Sequence, residues 1–271
     1  MDARGFYDAL GTDYDLMVSW EQRLAREQEF FRRVFSEAGV KRVLDAACGT
    51  GMHAISFARA GWDCAAADLS PVMVERAREN ARRAGVQVRF EAAGFGELST
   101  RVGAGFDAVT CIGNSLPHLL DDAALHACLV DFADLLVPGG TLVIQNRNYD
   151  RVLRERQRFM PPVSRAEEEG ETLFLRITEF PAAGARNDEA VSFTIVTLRK
   201  RGGTWAMTER TTPLRALRRA TLKAALDRAG FTSVRVYGSY AFDPFDAPGT
   251  ADLVVIARRW HASPEGRYGR R

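Results

Sequence analysis

The sequence predicts a doubly wound α/β fold, a mostly parallel seven-stranded sheet covered on both faces by helices, with an antiparallel β insertion. Three observations predict it. Short apolar runs alternate with amphipathic helical stretches between residues 41 and 150, the pattern of strands buried on both faces and joined by helical crossovers. The first run feeds a glycine turn, Val43-Leu44-Asp45-Ala46-Ala47-Cys48-Gly49-Thr50-Gly51, as at the carboxyl edge of such sheets. The alternation then gives way at 151–218 to β-like runs with no helix between them, and resumes at 219.

Taken in order, residues 1–40 read as helical: Trp20, Leu24, Phe30, Phe31, Val34 and Phe35 recur at helical spacing, and Gly39 closes the segment. Strands follow at Lys41–Ala47, Trp62–Ala67, Val86–Glu91, Phe106–Ile112 and Thr141–Asn146. Helices are expected at Thr50–Ala60, Ser70–Ala84 and Asp121–Leu136. Ser70 is placed to cap the second of these, with Pro71 in its first position. Arg151–Glu169 is charged and broken by Pro161 and Pro162; Thr172–Phe180, Ala190–Lys200 and Thr204–Leu217 read as antiparallel strands separated by the turn clusters at 181–188 and 201–203. A helix at Leu222–Ala229, capped by Thr221, and strands Ser233–Tyr237 and Ala251–Arg258 complete the core. The expected organisation is an N-terminal helical arm (1–40), a core (41–150 and 219–260), a β-rich insertion serving as a substrate lid (151–218), and a disordered tail (261–271).

The 271 residues, 46% hydrophobic, suffice for a full core. A formal net charge of +2 gives no argument for nucleic acid or an anionic membrane as partner. The cluster Arg151, Arg154, Arg156 and Arg158 reads as a solvated helix face offset by acids such as Glu155 and Glu167–Glu169. No apolar run is long enough to span a bilayer, and the opening MDARGFYDAL lacks a basic stretch followed by an apolar one. Cys48, Cys64, Cys111 and Cys128 form no C-x-x-C pair and are expected as buried, reduced thiols of a cytoplasmic protein that needs no metal.

The glycine turn carries the chemistry. Its spacing is neither G-x-G-x-x-G nor G-x-x-x-x-G-K-[ST], which argues against a dehydrogenase and a P-loop. An acid, Asp45, lies inside the motif, where it would repel pyrophosphate and welcome an ammonium. Asp68, ending the second strand, is placed to accept ribose hydroxyls.

D-x-x-C-G-T-G resembles the first motif of the class I S-adenosylmethionine-dependent methyltransferases, whose fold is Rossmann-like. The resemblance implies S-adenosylmethionine as cofactor and S-adenosylhomocysteine as product. Asp45, Gly49 and Gly51 then lie along its amino-acid end and Asp68 on its ribose. Ala46, Leu69 and Met73 join the cofactor-binding set, with Met73 on the adenine. The family often places an adenine-binding acid where this chain has Gly94, so the backbone there and Phe95 would serve instead.

A narrower resemblance rests on FDAVTCIGNSLPHLLD (106–121), QNRNYD (145–150) and the N-terminal Tyr14, Trp20 and Arg23. Together these are similar to the glycine and glycine/sarcosine N-methyltransferases. That implies backbone at Cys111, Ile112 and Gly113 facing the methyl-bearing region, Asn114 and His118 lining the reaction chamber, and Arg147 binding the carboxylate of an amino-acid acceptor. Arg23 would hold the cofactor carboxylate and Tyr14 would approach the sulfonium. Blander readings stand beside these: Asn114 as a turn residue, His118 and Phe95 as core, Tyr14 as packing, Arg147 in a surface ion pair. Asn146 replaces a histidine of the animal enzyme, and the insertion has no match. The expected acceptor is a small molecule, the amine of glycine, sarcosine or a similar amino acid. Another metabolite acceptor and a non-catalytic cofactor-binding role remain open. A nucleic-acid methyltransferase is disfavoured, since there is no basic stripe with interleaved aromatics and no N-P-P-[YFW] signature. The resemblance admits a homo-oligomer.

Overall fold

The computed structural model describes residues 1–11, 13–168, 170–182 and 189–261. The N-terminal arm is three helices, α1 (Ala3–Leu10), α2 (Asp13–Met17) and α3 (Trp20–Glu37). β1 (Arg42–Asp45), α4 (Met52–Arg59), β2 (Asp63–Asp68), α5 (Pro71–Ala84) and β3 (Arg89–Ala92) follow. Ser70 caps α5, its hydroxyl accepting from the Met73 amide, with Pro71 at the first helical position.

The short α6 (Leu98–Val102) had no sequence expectation. It forms because the buried Asp131 accepts from the amides of Gly96, Leu98 and Ser99, filling the open donors of a helix start. β4 (Phe106–Cys111), a single 3₁₀ turn at Leu116–His118, α7 (Asp122–Leu135) and β5 (Leu136–Arg147) come next. β5 begins five residues before the expected Thr141. Its pairing with β4 jumps from Phe106↔Leu136 to Ala108↔Thr141, so the Pro138-Gly139-Gly140 turn is a bulge within the strand.

The charged segment after Asp150 begins in α8 (Tyr149–Glu155), which carries Arg151 and Arg154 of the expected helix face but ends before Arg156 and Arg158, and β6 (Val163–Glu167), which had no expectation, follows the two prolines. β7 (Gly170–Glu179), β8 (Ala190–Arg201) and β9 (Thr204–Arg215) lie close to the expected runs. α9 (Arg219–Arg228), β10 (Phe231–Tyr237) and β11 (Asp252–Arg259) complete the chain. The expected Thr221 cap is wrong: α9 starts a turn earlier, where the Arg219 amide donates to Asp150 Oδ2 at 3.0 Å. The expected disordered tail, from residue 262 on, and most of the turn cluster at 181–188 lie outside the described residues.

Seven strands form one sheet in the order β10-β11-β5-β4-β1-β2-β3, and β6-β7-β8-β9 form a second, antiparallel meander. β1, β2, β3, β4 and β5 pair in parallel, while β11 runs antiparallel to both β5 and β10. One face packs on α6, α7 and α9 through Leu98, Phe132, Leu135 and Leu226. The other packs on α3 and α4 through Phe30, Phe31, Phe35 and Phe57, and on α5 through Val74, Ala77 and Ala81. The chain reverses its winding between β1 and β4, and the carboxyl ends of these strands open the crevice where such sheets bind ligands. Over it lie α1 and the inner face of the second sheet, joined by Phe6, Leu10, Met73, Phe174 and Ile195.

Candidate functional site

β1 delivers Asp45 to the crevice with only 1% of the residue exposed. Thr110 Oγ1 donates to its Oδ1 at 3.3 Å, and its Oδ2 has no hydrogen-bond partner among the described residues. Burial pushes this carboxyl up to about 7. The glycine turn that follows places Gly49 at φ 53° and Gly51 at φ 81°. A Cβ on Gly51 would sit 2.8 Å from Ala77 Cβ and 3.0 Å from the Phe90 ring, so packing of α4 on α5 already demands this glycine. Asp68, at the end of β2, accepts from the Gly49 amide at 2.8 Å and the Ser70 amide at 2.9 Å. Burial raises its pKa, and those two donors oppose the rise.

The N-terminal arm closes this group. Asp15 accepts from Thr50 Oγ1 at 2.6 Å and from the Trp20 indole at 2.8 Å, tying α2 to the glycine turn. That seats the Tyr14 ring on Gly49, 3.6 Å from where a Cβ would be. Burial raises the Tyr14 hydroxyl's pKa, and the hydroxyl feels the charges of Arg23, Asp68, Asp15 and Asp45. Arg23 reaches from α3 to the end of β4, its guanidinium 3.6 Å from the Cβ position of Gly113. Its Nε donates to Glu27 at 2.9 Å, and Glu27 also meets His53 Nε2 at 2.6 Å. Burial disfavours the Arg23 charge, but Glu27, Tyr14 and Tyr240 outweigh it and hold the guanidinium charged.

A second group stands at the ends of β4 and β5. Asn114, at φ 70°, accepts from the Arg147 amide at 3.0 Å and donates to the Tyr149 hydroxyl at 3.1 Å. It is a turn residue and a clamp at once. The Gly113 amide donates to Gln145 Oε1 at 2.8 Å, fixing the adjoining backbone. Arg147 Nη1 donates to Thr178 Oγ1 on β7 at 3.1 Å, and the guanidinium lies 5.9 Å from the Tyr149 ring. Burial lowers its pKa, and among the described residues it has no carboxylate partner. The surface ion pair that was the blander reading of Arg147 is therefore absent among these residues. His118 Nε2 lies 3.2 Å from the Tyr7 hydroxyl of α1, and burial pushes its imidazole down to about 4.

The remaining expected residues are less concentrated. Met73 packs in the cluster beneath α1, and the Phe95 ring meets Phe132 edge-on at 5.7 Å. A Cβ on Gly94 would lie 3.0 Å from Leu69 Cδ1, so these two residues adjoin. The side chains of Ala46 and Cys111 enter one core face and that of Ile112 the other, which leaves their backbone at the strand ends. Asn146 is fully buried with both polar side-chain atoms unpartnered among the described residues. Sequence reasoning missed Tyr7, Asp15, Glu27, His53, Gln145 and Thr178. Only Glu27, four residues after Arg23 on one helix, left a spacing signal. Among the described residues no helix is long and apolar enough to cross a membrane, and no group of three or more His, Cys, Asp or Glu side chains is placed to hold a metal ion.

Residues 43–140, from β1 into β5, match the family described as "Methyltransferase domain". Among curated proteins, the chain is 39% identical over 142 residues to a glycine/sarcosine N-methyltransferase of Aphanothece halophytica, covering 52% of this chain and 54% of that one. It is 37% identical over 142 residues to the glycine N-methyltransferase of Rattus norvegicus, covering 48% of each. The chain thus spans about half the length of the curated relatives it matches. The fold extends further: an S-adenosylmethionine-dependent methyltransferase from Clostridium acetobutylicum superposes with a TM-score of 0.75 at 17% identity, covering 95% of this chain and 98% of that one. The CcbJ methyltransferase of Streptomyces caelestis gives 0.74 at 21% identity, covering 96% and 100%. The matched segment holds Asp45, Asp68 and Asn114; Arg147 and the second sheet lie beyond it.

Proposed function

We propose that this chain is an S-adenosylmethionine-dependent N-methyltransferase acting on the amine of glycine, sarcosine or a similar amino acid. One observation carries the reading. Asp45, a buried acid with an oxygen unpartnered among the described residues, and Arg147, a half-buried guanidinium with no carboxylate among them, stand on either side of β4 at the carboxyl edge of the sheet. The pair complements an ammonium and a carboxylate on two ligands. The relatives named as glycine/sarcosine N-methyltransferases support the choice of amino-acid amine.

The residues fit the cofactor. Asp45 Oδ2 would accept from its ammonium, the Arg23 fork would pair with its carboxylate, and the Asp68 oxygens would take the ribose hydroxyls beside the Gly49 backbone. The Tyr14 hydroxyl would lie near the sulfonium. S-adenosylmethionine supplies an electrophilic methyl on sulfur, and the departing thioether is neutral. Arg147 anchors the acceptor carboxylate and so aims the amine. The amine, having given its ammonium proton to solvent before the roof covers it, would attack with its lone pair and leave as the N-methylammonium while the S–C bonding pair stays with sulfur. Asn114 positions Arg147 through the backbone. His118 is neutral down to about pH 4 and too weak a base to deprotonate an ammonium. α1 and the four-stranded sheet act as the roof that excludes water.

The test is S-adenosylhomocysteine release with glycine, sarcosine and dimethylglycine as acceptors. Turnover is expected. Arg147→Ala should raise the acceptor KM by on the order of 30-fold, about 2 kcal/mol for stranding a buried charge's partner, with cofactor affinity kept. An unchanged KM overturns the role of Arg147; binding of cofactor without turnover on any amino acid overturns the activity.

A further inference from the structure

Arg147 has cationic company. The Thr178 that accepts from it sits on β7, and Arg176, two residues earlier, faces the same side of the sheet about 7 Å along the strand. Cross-strand register places Arg176 opposite Ile195 and Ile195 opposite Arg210, so the two arginines flank Ile195 on the inner face. Arg176 Nη2 donates to Pro161 O at 3.1 Å, while Arg176 Nε and Arg210 Nη1 are buried without partners among the described residues. Neither guanidinium has a carboxylate there. The hydroxyls of Thr212, in the row of Thr178, and of Thr197, one row past Arg176, are likewise buried and unpartnered.

The same sheet pairs its other arginines readily: Arg199 meets Asp13 at 2.6 Å, and Arg215 meets Asp122 and Glu189 at 2.8 and 3.0 Å. On the inner face itself Arg199, two rows from Arg176, has Asp13, and Thr172 has Glu167, so among the described residues it is the row of Arg176 and Arg210 that is left without an acid. Burial and the charge of Arg147 both disfavour the charged Arg176, and buried cations held together need anions between them. An α-carboxylate on Arg147 compensates one guanidinium. Arg176, a full strand repeat away, needs another.

We propose that the acceptor carries a second acidic group, held by Arg176 with Arg210 behind it while Arg147 holds the α-carboxylate, so that the substrate class is an acidic amino acid. The proposal rests on the reading of this crevice as the acceptor site. The family match ends at residue 140, before the strands that supply Arg176 and Arg210.

The test separates binding from methyl transfer. The protein loaded with S-adenosylhomocysteine is titrated calorimetrically with acetate, malonate, succinate and glutarate, and turnover is measured with glycine, aspartate and glutamate. At least one dicarboxylate is expected to bind ten-fold or more tightly than acetate, and aspartate or glutamate to exceed glycine in kcat/KM. Arg176→Gln should abolish the dicarboxylate preference and leave S-adenosylhomocysteine affinity intact, which also reports that the variant is folded. Arg176→Lys should retain part of the preference. Equal binding of acetate and all dicarboxylates overturns the proposal, as does a loss of acetate binding in Arg176→Gln equal to the loss of dicarboxylate binding. Glycine turnover without dicarboxylate preference leaves the amine-methylation reading standing and removes this one; dicarboxylate preference without turnover on any amino acid overturns both.

Discussion

If Asp45 holds the cofactor's ammonium as proposed, it couples cofactor binding to pH. Its pKa near 7 lies above the ordinary carboxylate value of 3.8, so folding favours its protonated form, and that contribution is lost as pH rises from 3.8 through 7. A bound ammonium on Oδ2 favours the ionised form, so binding expels a proton. Cofactor affinity should therefore rise between pH 6 and 8, approaching ten-fold per unit on the acid side. Calorimetry in buffers of different ionisation enthalpy should detect the released proton, and Asp45→Asn should flatten the profile. An affinity constant from pH 5.5 to 8.5 would dismiss this coupling. Gly51 makes a different kind of demand. Ala there combines a positive φ with a 2.8 Å contact to Ala77 on a rigid helix, and should cost ~2 kcal/mol or more, read as a lower denaturation midpoint. Both positions were legible, because an acid and two glycines inside one strand-turn-helix motif leave few readings. Asn114 was legible as a turn residue, which its φ of 70° bears out. That its amide bridges the Arg147 backbone and Tyr149 depends on two strands that meet only in the folded sheet.

At the scale of elements, the docking of α1 carries a pH signature of its own. Tyr7 meets His118, and Asp8 accepts from the Ser70 hydroxyl at 2.5 Å. The folded imidazole titrates near 4, below its ordinary 6.5, so its contribution to stability is complete above 6.5 and is lost as pH falls towards 4. Amide exchange over 3–10 should accelerate across that interval while β4 and β5 stay protected, and His118→Gln should remove the dependence. Uniform exchange rates from pH 7 to 4 would show that His118 does not hold α1. The core elements could be read from the chain because their apolar period decides them. α8 left only its arginine face as a trace: it is seven residues long and draws on Asn148 as cap and an Arg151–Glu155 pair at 2.9 Å. The start of α9 depends on Asp150, 69 residues earlier in sequence. The motif R-N-Y-D thus supplies a site guanidinium, a cap for α8, a buried platform and a cap for α9, and no periodicity reveals the last three.

At the scale of the whole molecule, the crevice has a floor and a roof of different origin. The floor is the parallel sheet, whose main hydrophobic clusters contain no residue of α1. The roof joins two segments far apart in sequence, α1 and the meander from β6 to β9, through a cluster in which Phe6 and Leu10 meet Phe174 and Ile195. Each half of the roof looks unremarkable alone, an amphipathic helix and a set of alternating strands, and only their meeting over Asp68 and His118 makes a closed site. Removing residues 1–11 should therefore leave the floor folded, because it keeps its own core. Exposing the faces that bury Phe6 and Leu10 forfeits about 2 kcal/mol for each side chain as an upper bound, a loss the floor does not share. Tyr14 and Arg23 remain in place, so S-adenosylhomocysteine affinity should fall less than ten-fold. Turnover should fall further than binding, since water exclusion and the Tyr7–His118 contact are lost together. A truncated protein with unchanged kcat and acceptor KM would mean that α1 rests on the site without serving it, and would leave the roof to the four-stranded sheet alone.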